Sequence, residues 1–129
     1  MASPHLIRKL IVAARTARIR VRKGRVIRAT VNGRTIKAYA ICVTSGDGNW
    51  IEVALRAHTT PGELVHSLIH ELCHFIGYSE EAVAGGLDDA AFKSRALREA
   101  VAIRLLGLIV FPPKVEKDDG QCPSEETAR

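Results

Sequence analysis

Apolar residues recur at two different spacings along the first half of this chain of 129 residues. Over residues 4–17 they recur every three or four positions, which predicts an amphipathic helix. From Ile19 onward they alternate with arginine, which is the period of a half-buried strand. Asn32 and Gly33 both accept a positive φ and predict a hairpin turn, so residues 36–42 become the return strand.

A third strand and a long helix are predicted next. Residues 50–55 read WIEVAL, which is typical of a strand. Thr60 is a candidate N-cap with Glu63 three residues later, and Pro61 stands at the first helical position. Apolar residues follow at helical spacing and predict a helix that ends near Gly77.

The pattern beyond this helix predicts further helices. Ser79 is a candidate cap for a short helix that residues 85–86, both glycine, interrupt. Asp88 or Asp89 can cap a last helix over residues 90–106. Regular structure should end soon after that helix, because two consecutive prolines follow it.

These elements predict a single α+β domain over residues 1–111. It consists of an N-terminal helix, a small three-stranded, mostly antiparallel sheet, and helices after the sheet. Residues 112–129 are polar, and we expect this tail to be disordered. No apolar run approaches the roughly 20 residues of a membrane-spanning helix, so no membrane contact is predicted. Three widely spaced cysteines favour a reducing cytoplasm over a disulfide scaffold; they are Cys42, Cys73 and Cys122.

Positive charge is concentrated in the first third of the chain. Residues 1–46 contain eleven lysines and arginines and no acidic residue. Such a segment attracts polyanions by neutralising phosphates, so residues 8–37 are candidates for contact with DNA or RNA. Tyr39 is the one aromatic residue in this segment, which favours contact with the nucleic-acid backbone over base recognition. The alternative is a solvated face that keeps the protein soluble.

The predicted long helix contains the sequence His70-Glu71-Leu72-Cys73-His74. Histidines four residues apart project from one helical face, so His70 and His74 can bind one metal ion. Glu71 then lies beside the open coordination position, where it can act as general base on a metal-bound water. Zinc fits best, since two imidazoles and a third ligand leave a fourth position for water. The alternative is a pair of core histidines beside a surface glutamate.

Three acidic residues compete as the third zinc ligand. Glu99 is favoured, because it falls in the middle of an apolar stripe of the last helix, where a carboxylate needs a partner. The other members of that stripe are Phe92, Ala96, Ile103 and Leu106. Glu80 is second, because HELCHFIGYSE has the form HExxHxxGxxE and Gly77 permits a reversal toward the metal. Asp88 is third and could instead cap a helix.

Residues 50–78 combine the strand WIEVAL with the helix sequence TPGELVHSLIHELCHFIGY. In this combination the chain resembles the core of a small zincin-type metallopeptidase and is similar to minimal Spartan/SprT-like and phage-type proteins. The resemblance implies a zincin-like fold with His70 and His74 as zinc ligands, Glu71 as catalytic base, and a peptide or protein substrate. It also implies that the strand over residues 50–55 is a sheet edge beside which an extended substrate lies.

The chain departs from the Spartan-type pattern in its third ligand. Such proteins usually bring a third histidine from beyond the active-site helix, and no histidine follows His74 here. Gluzincin-like families use a carboxylate instead, which agrees with Glu99. Because Spartan-type proteases act on protein attached to DNA, the resemblance also implies that the basic segment holds the enzyme on nucleic acid.

The sequence therefore predicts a cytoplasmic zinc metallopeptidase, a hydrolase that cleaves peptide bonds with one zinc ion. Two other functions stay open. The HxxxHxxGY run that begins at His70 also resembles the YbeY-type family, which implies a metal-dependent endoribonuclease. The other alternative is a nucleic-acid-binding module with a non-catalytic zinc site.

Overall fold

One helix precedes a group of short strands, and the other helices follow it. The computed structural model describes residues 2–46, 48–112 and 127–128. The helices are α1 (Pro4–Thr16), α2 (Pro61–Phe75), α3 (Glu80–Ala82), α4 (Asp88–Phe92) and α5 (Arg95–Val110). The strands are β1 (Ile19–Arg22), β2 (Ile27–Val31), β3 (Arg34–Ala38), β4 (Ala40–Ser45), β5 (Gly48–Ala54) and β6 (Thr127–Ala128). A short 3-10 helix, Leu55–Ala57, follows β5, and a π-helical turn, Val83–Leu87, joins α3 to α4.

The main sheet is mixed. β5 lies between β1, with which it pairs in parallel, and β4, with which it pairs antiparallel. The two residues of β6 extend this sheet by pairing with Val43 and Thr44 of β4. β2 and β3 form a separate antiparallel hairpin around Asn32 (φ 51°) and Gly33 (φ 78°), the predicted turn. The α+β class predicted from the sequence is confirmed.

Two breaks divide the strands that the sequence predicts. The first strand is interrupted after Arg22, where the Gly24 carbonyl accepts a hydrogen bond from Arg56 N at 3.2 Å. The return strand is interrupted at Tyr39, so β3 stays in the hairpin and β4 joins the main sheet. β5 has β1 on one side and β4 on the other, so it is an internal strand. The prediction that residues 50–55 form a sheet edge is therefore wrong.

Side chains of β5 alternate between two hydrophobic cores. Ile51 and Val53 belong to a core formed with α1, α2 and α5. Trp50 and Ala54 belong to a smaller core on the other face, which also contains Ile27 of the hairpin. A strand that is buried on both faces needs apolar side chains at nearly every position, which accounts for the composition of WIEVAL.

Glu52 is a fully buried carboxylate on the same face of β5 as Trp50. Its Oε1 accepts a hydrogen bond from Arg22 Nε at 2.8 Å, and its Oε2 accepts one from Trp50 Nε1 at 2.7 Å. The guanidinium carbons of Arg18 and Arg20 lie 5.0 and 5.3 Å from the centre of the Trp50 ring. Part of the basic segment therefore stabilises the fold itself.

Both ends of α2 form as predicted. Thr60 Oγ1 accepts a hydrogen bond from Glu63 N at 3.1 Å, and Pro61 stands in the first turn. The Glu63 carboxylate accepts a hydrogen bond from Thr59 N at 2.9 Å, one residue before the cap. At the other end Gly77, with a φ of 111°, turns the chain out of the helix.

The helix predicted over residues 90–106 is in fact two helices. α4 ends at Phe92, and Ser94 begins α5 by accepting a hydrogen bond from Leu97 N at 3.3 Å. Asp88 and Asp89, which were predicted as alternative caps of the long helix, stand instead in the first turn of α4. The predicted cap is wrong because a serine hydroxyl at the break supplies the acceptor that the long helix needs.

The apolar stripe predicted for the last helix faces outward. Ile103 and Leu106, which belong to that stripe, are exposed. α5 carries apolar residues on both faces, so periodicity alone does not decide which face is buried. Packing against α1 decides it, and Arg104 on the inner side donates hydrogen bonds to the carbonyls of Ala14 and Ala17. The residues that α5 turns into the core are Leu97, Val101 and Leu105.

The boundary predicted between domain and tail lies close to the end of α5 at Val110. The tail over residues 112–129, expected to be disordered, lies outside the described residues except at Pro112, Thr127 and Ala128. Within the part of the chain that the structure describes, no helix has the length and apolar character to cross a membrane.

Candidate metal centre

α2 carries the two histidines of the HExxH sequence side by side. The ring centres of His70 and His74 are 5.0 Å apart, with an angle of 69° between the ring planes. His74 is buried and His70 is half-buried, so the pair lies where the core meets solvent. The spacing of one helical turn accounts for this juxtaposition.

The Nδ1 atoms of both rings are held by acceptors. His70 Nδ1 donates to Asp88 Oδ2 at 2.8 Å, and His74 Nδ1 donates to the carbonyl oxygen of Tyr78 at 2.9 Å. A carboxylate and a carbonyl can only accept, so each Nδ1 carries the proton. In the neutral rings both Nε2 atoms therefore keep their lone pairs, which is the tautomer that binds a metal through Nε2.

Glu80 brings a carboxylate in front of these two nitrogens. Its Oε2 lies 2.9 Å from His74 Nε2, and its Oε1 lies 3.8 Å from His70 Nε2. One donor atom from each of the three residues lies within 4.8 Å of the others. The Glu80 side chain is 68% exposed, so the group is open to solvent on that side.

His74 Nε2 is a buried atom that has no hydrogen-bond partner among the described residues. The Glu80 oxygen is near enough, but the contact lacks hydrogen-bond geometry. A lone pair of a neutral imidazole would thus face a carboxylate oxygen, which is repulsive. A proton or a cation shared by the two groups removes this repulsion, and the nearby His70 Nε2 offers a third donor to a cation.

Glu71 is the second buried group with an unpaired atom, its Oε1, among the described residues. Its Oε2 lies 4.0 Å from His70 Nε2, beside the three-residue group. Burial, together with the negative charge of Glu80, raises the pKa of the Glu71 carboxyl to about 8. A carboxylate with this pKa is a stronger base than an ordinary glutamate.

A tight turn after α2 brings Glu80 back to the histidines. Gly77 N donates to the His74 carbonyl at 3.0 Å, and Tyr78 N donates to the Cys73 carbonyl at 3.0 Å, which together form a Schellman motif. Ser79 then caps α3, of which Glu80 is the first residue. The reversal expected from HExxHxxGxxE is therefore the one that the chain makes.

Asp88 reaches the site but contacts the far side of the His70 ring. Its Oδ2 accepts from Nδ1, and its Oδ1 accepts a hydrogen bond from Asp89 N at 2.8 Å. The residue is buried. In this position Asp88 orients the His70 imidazole and does not face the Nε2 side, where the Glu80 carboxylate lies.

Glu99, the ligand favoured by the sequence, is not brought to the histidines. Its side chain is 61% exposed, and its Oε1 accepts a hydrogen bond from Arg95 Nε at 3.0 Å, one turn away on α5. The preference for Glu99 followed from assigning its stripe to the core. The stripe faces outward, so this carboxylate finds its partner in solvent and Arg95.

Two hydrogen-bonded groups that contact α2 carry no signal in the sequence. The Tyr78 carbonyl is a backbone group, which carries no residue-type signal. His58 also lacks a motif, yet its Nδ1 donates to the Ala54 carbonyl at 2.8 Å and its Nε2 accepts from Ser67 Oγ at 2.7 Å. Ser67 precedes Glu71 by one turn of α2, so Ser67 and Glu71 lie on the same face of the helix.

The arrangement as a whole combines metal donors with a base. Two imidazole nitrogens and a carboxylate oxygen converge, and a buried glutamate with a raised pKa lies beside them. The donor types and their number are those of a catalytic zinc site that keeps a position for water. Comparisons of the chain with known protein families, with curated proteins and with solved structures found no match.

Proposed function

We propose that this protein is a zinc-dependent peptidase whose metal is bound by His70, His74 and Glu80. The observation that carries the proposal is the buried His74 Nε2, which faces a carboxylate oxygen 2.9 Å away without a hydrogen bond. A buried polar atom without a partner is unfavourable, and a cation between the two groups would satisfy both. Zinc suits this mixed nitrogen and oxygen donor set.

Glu71 is the general base in this proposal. When bound, zinc supplies Lewis acidity that acidifies a water molecule and polarises a peptide carbonyl. Glu71 takes a proton from the water as the water oxygen bonds to the peptide carbonyl carbon, and it delivers that proton to the amine nitrogen as the C–N bond breaks. Its position beside His70 Nε2 supports this role, because the transfer needs the carboxylate within reach of that water.

Asp88 and Tyr78 are positioning residues in this proposal. Each holds one histidine by its Nδ1 atom, so the Nε2 atoms keep their direction toward Glu80. Hydrogen-bond partners of metal-binding histidines typically contribute about 10- to 100-fold to metal affinity or activity. Both contacts are made within the protein, so the two rings are oriented before any substrate binds.

Replacing Glu80 with alanine should lower zinc affinity by about 100-fold or more, because one of three ligands is lost. Zinc content after dialysis and competition with a chromophoric chelator would measure this loss. Asp88→Ala should have a smaller effect, about 10- to 100-fold, because it removes only the orientation of His70.

Glu99→Ala is the matched control, since it removes the same functional group from an exposed ion pair on α5. This variant should bind one zinc ion per chain with unchanged affinity. Loss of zinc in Glu99→Ala with retention in Glu80→Ala would contradict the assigned ligand set. A wild-type chain that binds no zinc would contradict the proposed function.

We also propose a cytoplasmic location for this peptidase. Cys42 and Cys73 are thiols buried in the core. Burial raises the pKa of the Cys73 thiol to about 12, so it stays protonated and unreactive. A reducing compartment suits such thiols, and peptides or proteins of that compartment would be the substrates.

The hairpin of β2 and β3 supports a further part of the proposal, non-specific contact with DNA or RNA. Arg28 and Lys37 stand directly opposite each other and are exposed. Like charges at opposed positions destabilise a hairpin, and residues 1–46 contain no acidic residue to offset them. Phosphates of a nucleic acid would neutralise this pair.

Replacing Arg28 and Lys37 together with glutamine should weaken binding to duplex DNA and reduce the salt slope of log K by about 2. Fluorescence anisotropy of a labelled duplex at several salt concentrations measures both. A matched control, Lys93→Gln with Arg95→Gln, removes the same charge from the α4–α5 region and should leave the slope unchanged. An unchanged slope in the hairpin variant would show that the hairpin does not bind DNA.

A further inference from the structure

The outer face of α5 near its C-terminal end is apolar and exposed. Ile103 is 72% exposed, Leu106 is 62% exposed and Phe111 is 78% exposed. Val110 and Ile109 add to the same region. Because α5 buries a different set of residues against α1, this face has no role in the packing of the domain described above. Large exposed apolar patches of this kind mark interaction surfaces.

From Ile103 onward this outer face carries no charge, whereas the exposed Glu99 stands about one turn earlier. Residues 105–111 read LLGLIVF, without a charged side chain. Arg104, the preceding residue, is directed inward, where it donates to the carbonyls of Ala14 and Ala17 at 2.9 and 2.7 Å. A nucleic acid or a charged peptide would therefore find nothing complementary here, and the occupant must itself present an uncharged apolar surface.

Gly107 lies among these exposed side chains. Glycine in a helix interior is destabilising relative to alanine. A Cβ atom built at Gly107 would meet no atom of another described residue beyond its own helical turns within 4 Å, so packing among the described residues does not require glycine. A missing side chain on an exposed helical face does let the backbone of a second helix approach closely.

We infer that this face is a self-association surface, occupied by the same face of a second copy of the chain. If all of their exposed surface were buried, the five side chains would contribute about 500 Å² per copy, and a pair would bury at most about 1,000 Å², the lower limit for a specific interface. Residues 113–129 are mostly charged and polar, a composition that is not complementary to an apolar surface.

A two-fold arrangement is consistent with the position of the glycine. In a symmetric dimer the same patch meets itself, so a projecting residue on one copy must fit a recess on the other. Leu106 projects next to the recess at Gly107, and an antiparallel crossing near these residues would place each leucine over the partner copy's glycine. The net charge of +5 opposes association of two copies, but salt screens this repulsion and residues 105–111 bring no charged side chain into the contact.

Sedimentation velocity of the full chain tests this inference, from about 1 μM to about 200 μM, the range expected for a small interface. A reducing agent must be present, because Cys122 could otherwise link two chains covalently. The wild type should show a reversible monomer–dimer equilibrium.

Leu106→Glu should weaken association about tenfold or more, because it places a charge in the interface. Ala96→Glu, an exposed position in the first turn of α5, is the matched control and should associate normally.

Gly107→Ala gives an independent readout that does not depend on introducing a charge. As a monomer this variant should melt at a higher temperature, since alanine favours the helix. Its dimer should dissociate about tenfold more readily, since the added methyl group fills the recess. A wild type that stays monomeric over the whole range would overturn the inference. So would a dimer that neither Leu106→Glu nor Gly107→Ala weakens.

Discussion

Replacing Glu71 with glutamine should reduce peptide hydrolysis by about 10²- to 10⁴-fold, the usual contribution of a general base. Glutamine keeps the size of the side chain but cannot accept a proton from water. His70, His74 and Glu80 are unchanged in this variant, so zinc content should stay at the wild-type level. Cleavage of a quenched fluorescent peptide library and zinc analysis of the same sample would measure both quantities.

Glu81→Gln is a suitable control, because Glu81 is an exposed glutamate next to Glu80 and should have no effect on hydrolysis. Full activity in Glu71→Gln would contradict the proposed mechanism. RNA cleavage that requires His70, with peptides left intact by the wild type, would identify a metal-dependent endoribonuclease instead. Zinc binding and DNA binding without turnover of either substrate would identify a binding module.

Replacing Arg22 with methionine should lower the free energy of unfolding by about 3–5 kcal/mol, the typical effect of breaking a buried ion pair from one side. Glu52 has no exposed surface. In the variant its buried carboxylate still accepts a hydrogen bond from Trp50 Nε1 but has lost Arg22 as its cationic partner. Methionine keeps most of the volume of the arginine stem, which limits the loss of packing. Urea denaturation followed by circular dichroism gives the value.

Adding Glu52→Gln to Arg22→Met should recover part of this loss, because the amide oxygen still accepts from Trp50 while the uncompensated charge is gone. Arg28→Met on the exposed hairpin should change stability by less than about 0.5 kcal/mol. A loss below about 1 kcal/mol in Arg22→Met would show that Glu52 does not depend on its arginine partner.

Features encoded by adjacent residues were predictable from the sequence. The cap at Thr60, the turn at Gly77 and the hairpin at Asn32 each depend on a few neighbouring side chains and their backbone preferences. The pairing of β1 with β5 was not predictable in this way, because it joins Ile19 to Ile51 across a separate hairpin. Alternation identifies a strand but does not identify its partner.

The candidate site shows the same difference between local features, which were predictable, and long-range contacts, which were not. The convergence of His70, His74 and Glu80 follows from one helical turn and one reversal, and the sequence contained both signals. Glu99 was preferred because an apolar stripe was assigned to the core, a choice that depends on how α5 packs against α1. The contact between Asp88 and His70 likewise joins two helices and has no local signature.

The segment that delivers Glu80 is bracketed by Gly77 and Gly86, whose φ angles are 111° and 107°. Residues with a side chain rarely adopt these torsions, so substitution at either glycine would distort the loop even though neither would touch a metal. The strength of metal retention would then depend on backbone torsion at two chemically inert positions. Every donor atom could remain in the sequence while the coordination sphere failed to close.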